Sequence, residues 1–181
     1  MTKLVQQNSS WDMNSKPILA YDCATVGASL ALQAGRSTLT RHIEQTRQAA
    51  ELVPAMQALL AEQNITYEAL QCIVTTTGPG SFTGVRIGLA ALHGLVLVTG
   101  TPVKLLTTLA AMAWQVTTRT EVPPLFYILL RAGKGELYVQ KFNYRAPHPV
   151  PMGEIFLAPE TTQAWDAPCF GNVADTSSLA Y

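Results

Sequence analysis

The run Gly78-Pro79-Gly80-Ser81-Phe82-Thr83-Gly84-Val85-Arg86-Ile87-Gly88 constrains this chain more than any other stretch, because it reads as a sharp turn opening into a helix. Gly78, Gly80 and Gly84 admit positive φ and close backbone approach, and Pro79 restricts the way in. Cys72 to Thr76 before it reads as a buried strand, and Val85 to Val98 after it as a helix capped by Ser81 or Thr83. Free N–H groups in the first helical turn would suit an anion, with Arg86 adding a cation or clamping the loop. A bare strand-to-helix turn needs the same glycines, so both readings stay open. Two phosphate motifs are excluded. A P-loop needs Lys-Ser/Thr where Val85-Arg86 stand, and the dinucleotide fingerprint needs glycine where Thr83 stands.

The flanking pattern suggests how this turn is embedded. Ile18 to Cys23, Val26 to Leu32 and Ser37 to Leu39 read as three short strands, with Gly35-Arg36 between the last two, which implies an antiparallel meander. From about Thr40 the apolar period becomes helical, through Ile43, Ala50, Val53, Met56 and Leu60, which places His42 at a helix start. Pro54 either kinks that helix or splits it near Leu52. Val103 to Leu106 reads as a strand, and Thr108 to Val116 as a helix capped by Thr107 or Thr108. Leu125 to Leu130 and Leu137 to Phe142 form a hairpin around Ala132-Gly133-Lys134-Gly135. Arg145 to Tyr181 is Pro-rich and weakly patterned, with His148 in a loop and Cys169-Phe170-Gly171-Asn172 as its last clear feature. This order implies an α/β or α+β layer with mixed pairing over residues 17–120. Residues 1–16 read as a flexible arm, and 121–181 as a partial second lobe short of helices.

Charge and cysteine usage narrow the function classes. Twelve basic and twelve acidic residues balance, without a Lys/Arg cluster, so the chain lacks the electrostatic footprint for gripping RNA unaided. Charged residues make up only 13% of the 181, against about 25% in ordinary domains, which favours a surface partly covered by another subunit. Cys23, Cys72 and Cys169 form no CxxC pair, and Cys23 and Cys72, in strand-like apolar runs, read as reduced, buried thiols that suit a reducing cytoplasm. The first fifteen residues have no apolar signal core, and Val85 to Val98 is too short to span a bilayer, so no membrane is expected.

As a string, GPGSFTGVRIG resembles the signature of the TsaB (YeaZ) family, and in looser form the related TsaD and Kae1 proteins of the Gcp-like superfamily. Ile18-Leu19-Ala20-Tyr21-Asp22-Cys23-Ala24-Thr25 is similar to that family's opening strand. Leu52-Val53-Pro54 with Leu59-Leu60 resembles its Leu-Leu-Pro helix, and Gly135-Glu136-Leu137-Tyr138 its Gly-Glu-Val-Tyr hairpin. Four landmarks in order cover about residues 17 to 142. The resemblance implies the ASKHA fold of actin, Hsp70 and sugar kinases, with a complete N-terminal lobe and a reduced C-terminal one. It also implies a role beside TsaD and TsaE in making threonylcarbamoyladenosine next to the anticodon of ANN-decoding tRNAs.

Within that resemblance the residues favour a non-catalytic partner. The catalytic paralogue holds metal through His-x-x-x-His, a spacing that His42, His93 and His148 do not provide, and no HExxH occurs. No catalytic or metal residue is therefore assigned. Asp22 is followed by Ala24 where a phosphate-binding turn wants glycine, so Asp22 is expected to brace the Gly78–Thr83 loop. The expected loop site comprises Asp22, Gly78, Pro79, Gly80, Ser81, Thr83, Gly84 and Arg86. Gly84, Gly88, Ala91 and Gly94 form a small-residue stripe with Leu89 and Leu92 on the same helix, and Leu52, Met56 and Leu59 lie on the preceding one. The resemblance implies that these two helices bundle with TsaD or with a second copy. No cofactor is expected for the chain itself, with room for ATP or ADP at the complex and for tRNA only through it. The alternative is a nucleotide-binding ASKHA protein or small-molecule kinase relic. Departures from the family pattern are Arg131 and Gly133 in the hairpin, Gln48 in place of a histidine, and an end at Tyr181 that implies a shortened second lobe.

Overall fold

The structure is a computed structural model that describes residues 16–119, 121–145, 147–162 and 165–172. The expected arm at 1–16 lies almost wholly outside the described residues. In chain order the elements are β1 (Ile18–Asp22), β2 (Ala28–Ala34), β3 (Ser37–Ile43), α1 (Gln48–Glu62), β4 (Cys72–Thr76), α2 (Phe82–Thr99), β5 (Val103–Leu106) and α3 (Thr108–Arg119). The second lobe follows with β6 (Leu125–Gly133), β7 (Glu136–Arg145), β8 (His148–Pro159) and β9 (Cys169–Gly171).

The first sheet has the order β3-β2-β1-β4-β5. β1 to β3 form the antiparallel meander read from the sequence, while β4 and β5 run parallel to β1. Two-residue alternation sends Leu19 and Tyr21 of β1, and Leu30 and Leu32 of β2, to one face, where they meet Leu52, Met56, Leu59 and Leu60 of α1. Pro54 sits inside α1, which is a single helix from Gln48. Its ring removes one N–H from the ladder, and the buried Leu52, Met56 and Leu59 offset that loss.

Three sequence expectations need correction. β3 continues to Ile43, so His42 is a strand residue and not a helix start. All seven β3 residues pair with β2, which overrides the helical spacing of the apolar positions. The weakly patterned stretch after Arg145 contains the long strand β8, and His148 is its first residue. Among the described residues β8 pairs only with β7, and an edge strand tolerates Pro149 and Pro151, the residues that hid it. Finally, α2 has 18 residues, longer than the expected run, so length and apolarity alone do not separate it from a membrane span. Gly84, Gly88 and Leu92 are its buried residues, packed against the first lobe.

The second sheet has the order β8-β7-β6-β9. α3, on the N-terminal side of the expected boundary at 120, puts Leu109 and Ala113 onto Phe126, Ile128 and Phe142 of this sheet. It thereby links the two lobes. Thr107 caps it, the Ala110 N–H donating to Thr107 Oγ1 at 3.1 Å.

Candidate functional site

The glycine-rich turn is held by backbone contacts to the residues that follow β1. Ser81 N–H donates to the Ala24 carbonyl at 2.7 Å, and Gly84 N–H donates to Ser81 Oγ at 3.2 Å, which makes Ser81 the cap. Gly80 has φ +155, and a Cβ there would strike the Ala24 carbonyl oxygen; a Cβ on Gly84 would strike that of Cys23. Gly78, also at positive φ, precedes a cis peptide to Pro79, and its carbonyl accepts from Thr108 N–H at 2.8 Å. The loop is thus clamped between the β1–β2 connection and α3.

Asp22 does not brace this loop directly, as the sequence suggested. Its carboxylate accepts from Thr25 Oγ1 at 2.6 Å, from Ala24 N–H at 3.1 Å and from the Thr76 hydroxyl. It ties the end of β1 to the end of β4, and Ala24 makes the contact to Ser81. A phosphate does not fit between them: carbonyl oxygens of Cys23 and Ala24 face Gly84 and Gly80, and the capping N–H groups of Ser81 and Gly84 are already used. Among the described residues Arg86 does not clamp the loop either. Its guanidinium lies 5.3 Å from the centre of the Phe82 ring, on the outer side of α2 beside exposed Thr83.

The helix residues expected at a partner interface divide sharply. Leu52, Met56, Leu59 and Leu92 are buried in the chain's own core. Gly88 packs on Tyr21 and Cys23, and its carbonyl accepts from the Tyr21 hydroxyl at 2.9 Å. Leu89 and Ala91 pack partly on the same core. The small residues Gly84 and Gly88 therefore admit the end of β1, not a second helix. Gly94 alone of that set is exposed, with nothing near its missing Cβ. The outward face of α2 instead carries Phe82, Ala90, His93, Leu97 and Val98. Phe82, Leu97 and Val98 are 75%, 87% and 85% exposed. The 3.6-residue period could have located this face, but the glycine stripe drew attention to the opposite one.

A second feature went unseen in the sequence. On the sheet face turned away from α1 and α2, register aligns Asp22, Ser29 and His42 in one row across three strands, and the Thr76 hydroxyl of β4 donates to Asp22. Ser29 Oγ lies 3.4 Å from His42 Nδ1. This row borders a cleft of about 570 Å³ walled by Ala111 and Gln115 of α3. Assigning His42 to a helix concealed the row. Among the described residues no three His, Cys, Asp or Glu side chains converge as a metal site requires.

Burial shapes the chemistry beneath the turn. It pushes the Cys23 thiol up to about 12, helped by the charge of Asp22, and the Tyr21 hydroxyl up to about 12. A thiol in that state is not a nucleophile at neutral pH.

A mixed five-stranded sheet backed by helices, linked through one helix to a second sheet with a cleft between, defines an ASKHA-type two-lobed chain. The comparisons with known proteins agree. The family profile of TsaD, tRNA N6-adenosine threonylcarbamoyltransferase, matches residues 42–168, more than half of the chain. The tRNA threonylcarbamoyladenosine biosynthesis protein TsaB of Escherichia coli K12 is 33% identical over 131 residues, 70% of this chain and 54% of that protein. Its namesake in Haemophilus influenzae is 31% identical over 102 residues, 56% of this chain and 43% of that one. The solved structure of YeaZ from Pseudomonas aeruginosa superposes with a TM-score of 0.75 at 26% identity, covering 87% of this chain and 75% of that one. The chain belongs to the TsaB (YeaZ) family of the Gcp-like superfamily. It spans about half the length of the curated relatives it matches.

Proposed function

We propose that this chain is a non-catalytic subunit that binds TsaD and supports threonylcarbamoyladenosine modification of ANN-decoding tRNAs. Family membership supplies the pathway, and the apolar outer face of α2 supplies the means. A helix that leaves Phe82, Leu97 and Val98 in water has a reason to keep them when a partner covers them. Central apolar side chains of that kind carry most of an interface's binding energy. The partner is TsaD, with TsaE joining the assembly and a second copy competing for the same face. The tRNA is reached only through the complex, in the cytoplasm, and any ATP or ADP belongs to the complex.

The test is co-purification with TsaD from the same organism, comparing the unaltered chain with Leu97→Glu and Ala90→Glu. Retained folding with lost complex supports the proposal. A complex unaffected by both charges removes the α2 face from the interface, and no complex with any chain removes the role.

A further inference from the structure

We propose that Arg86 decides which helix docks on the outer face of α2: one that brings a carboxylate to its guanidinium is accepted, and a second copy of this chain is disfavoured. The inference rests on the reading of α2 as the docking face, and its test separates the two.

The outward seam of α2 has the spacing of a helix–helix contact. Thr83, Ala90 and Leu97 stand seven residues apart, and Arg86 and His93 fall between them at the alternate positions of the same heptad pattern. All five are exposed. Thr83, Arg86, Ile87 and Ala90 line a depression of about 350 Å³. Positions i, i+3, i+4 and i+7 of one helix are the four that frame a hole for a single side chain of a facing helix. The seam therefore takes a helix as its occupant.

Charge decides which helix. Arg86 is the sole Lys, Arg, Asp or Glu of α2, and it sits close to the N-terminal end, the end that favours anions, with no acidic residue in the first turn. Among the described residues no carboxylate pairs with it. The Phe82 ring, 5.3 Å away, orders the guanidinium without neutralising it. Docking takes this charge out of water. A buried charge without a partner costs more than the apolar contact around it returns, so the facing helix has to supply a carboxylate. One polar group in an apolar helix seam selects partners in this way, at some cost in strength.

A second copy has no free carboxylate on the matching surface. α2 carries none, and the two of α1, Glu51 and Glu62, are ion-paired with Arg47 and Arg41. Glu68, near the far end of α2, accepts from its own N–H and from the Thr66 hydroxyl. In an antiparallel pair Arg86 would approach the last turn of the other α2, where the Leu95 and Val96 carbonyls already accept from the Thr99 hydroxyl and the Gly100 N–H. A parallel pair would bring two Arg86 side chains together.

The experiment compares the unaltered chain with Arg86→Gln. Affinity for TsaD of the same organism is measured by calorimetry and self-association by sedimentation, at about 50 mM and about 500 mM salt. Arg86 is exposed, so both chains are expected to melt together. Arg86→Gln is expected to bind TsaD about tenfold more weakly at low salt, to lose most of the salt dependence, and to self-associate more strongly. Unchanged affinity for TsaD overturns the inference, and so does self-association no stronger than that of the unaltered chain. Leu97→Glu is the control for the docking face. If it abolishes TsaD binding while Arg86→Gln leaves it unchanged, α2 remains the docking face and only the role of Arg86 falls. If Leu97→Glu leaves TsaD binding intact, the docking reading fails and this inference fails with it.

Discussion

Gly84 lies so close to the carbonyl oxygen of Cys23 that a single added methyl group would overlap it. Gly94, ten residues along the same helix, has nothing near the equivalent position. The pair predicts opposite responses to one substitution. Gly84→Ala must push α2 off the end of β1 and should cost on the order of 3 kcal/mol. Gly94→Ala should stabilise by about 1 kcal/mol, the ordinary helix-propensity gain. Urea unfolding of both variants checks the signs.

Asp22 predicts a coupled loss. Asp22→Ala strips the Thr76 hydroxyl and the Ala24 N–H of their acceptor, at about 1–3 kcal/mol for each buried group left without a partner. Thr76→Val in the same background should add much less than it does alone, because the shared hydrogen bond is already gone. A double-mutant cycle measures this.

The thiols predict a pH dependence. Burial raises Cys23 and Tyr21 to about 12, and Cys169 to about 11, above the values that the unfolded chain shows. The unfolded chain therefore releases its protons first. Stability is fully present below pH 9, the ordinary thiol value, and declines as pH rises toward 12. Cys23→Ala should flatten that decline. A disulfide reagent at pH 7.5 should label none of Cys23, Cys72 and Cys169 until the chain is unfolded, since all three are buried.

The second lobe makes a prediction around one tryptophan. Asp166 accepts from Tyr127 at 2.8 Å and from Lys141 at 2.6 Å, while Trp165 packs 5.0 Å from the Tyr127 ring. The hydrogen bond from Lys141 holds the Asp166 carboxyl below the usual range. Its contribution is present above the unfolded value of 3.8 and is lost as pH falls through the lower folded one. In a chain carrying Trp11→Phe and Trp114→Phe, Asp166→Ala should shift Trp165 emission to longer wavelength at neutral pH. An unshifted spectrum would show that the ring contact holds without the ion pair.

How much of this was legible in the sequence depends on what each signal encodes. Turn chemistry is local, so Gly78 to Gly84, the Ser81 cap and the Gly133–Gly135 hairpin could be read directly. Strand boundaries set by a neighbour could not. Ile43 falls on a helical period with Ala50, yet seven cross-strand partners hold it in β3. β8 has prolines where a central strand could not, and only its edge position permits them. The cleft row of Asp22, Ser29 and His42 joins residues brought together by register alone. Helix faces were half legible: the period of α2 was visible, but which stripe faces inward depends on the carbonyl of Cys23, far from Gly84 in sequence.

That choice of stripe yields the sharpest prediction. Leu92 is 4% exposed and Leu97 87% exposed on one helix, with the same side chain in opposite surroundings. Leu92→Ala should cost about 2–5 kcal/mol through lost burial and a cavity. Leu97→Ala should stay within about 0.5 kcal/mol, as surface substitutions do. Binding to TsaD should invert the order: Leu97→Ala weakens the complex, while Leu92→Ala, assayed where it remains folded, does not. Thermal melts and affinity measured on the same two proteins test both halves. If Leu92→Ala alone reduces affinity in the folded state, the partner reads the packing of α2 and not its outer surface, and the docking face has to be sought on another element.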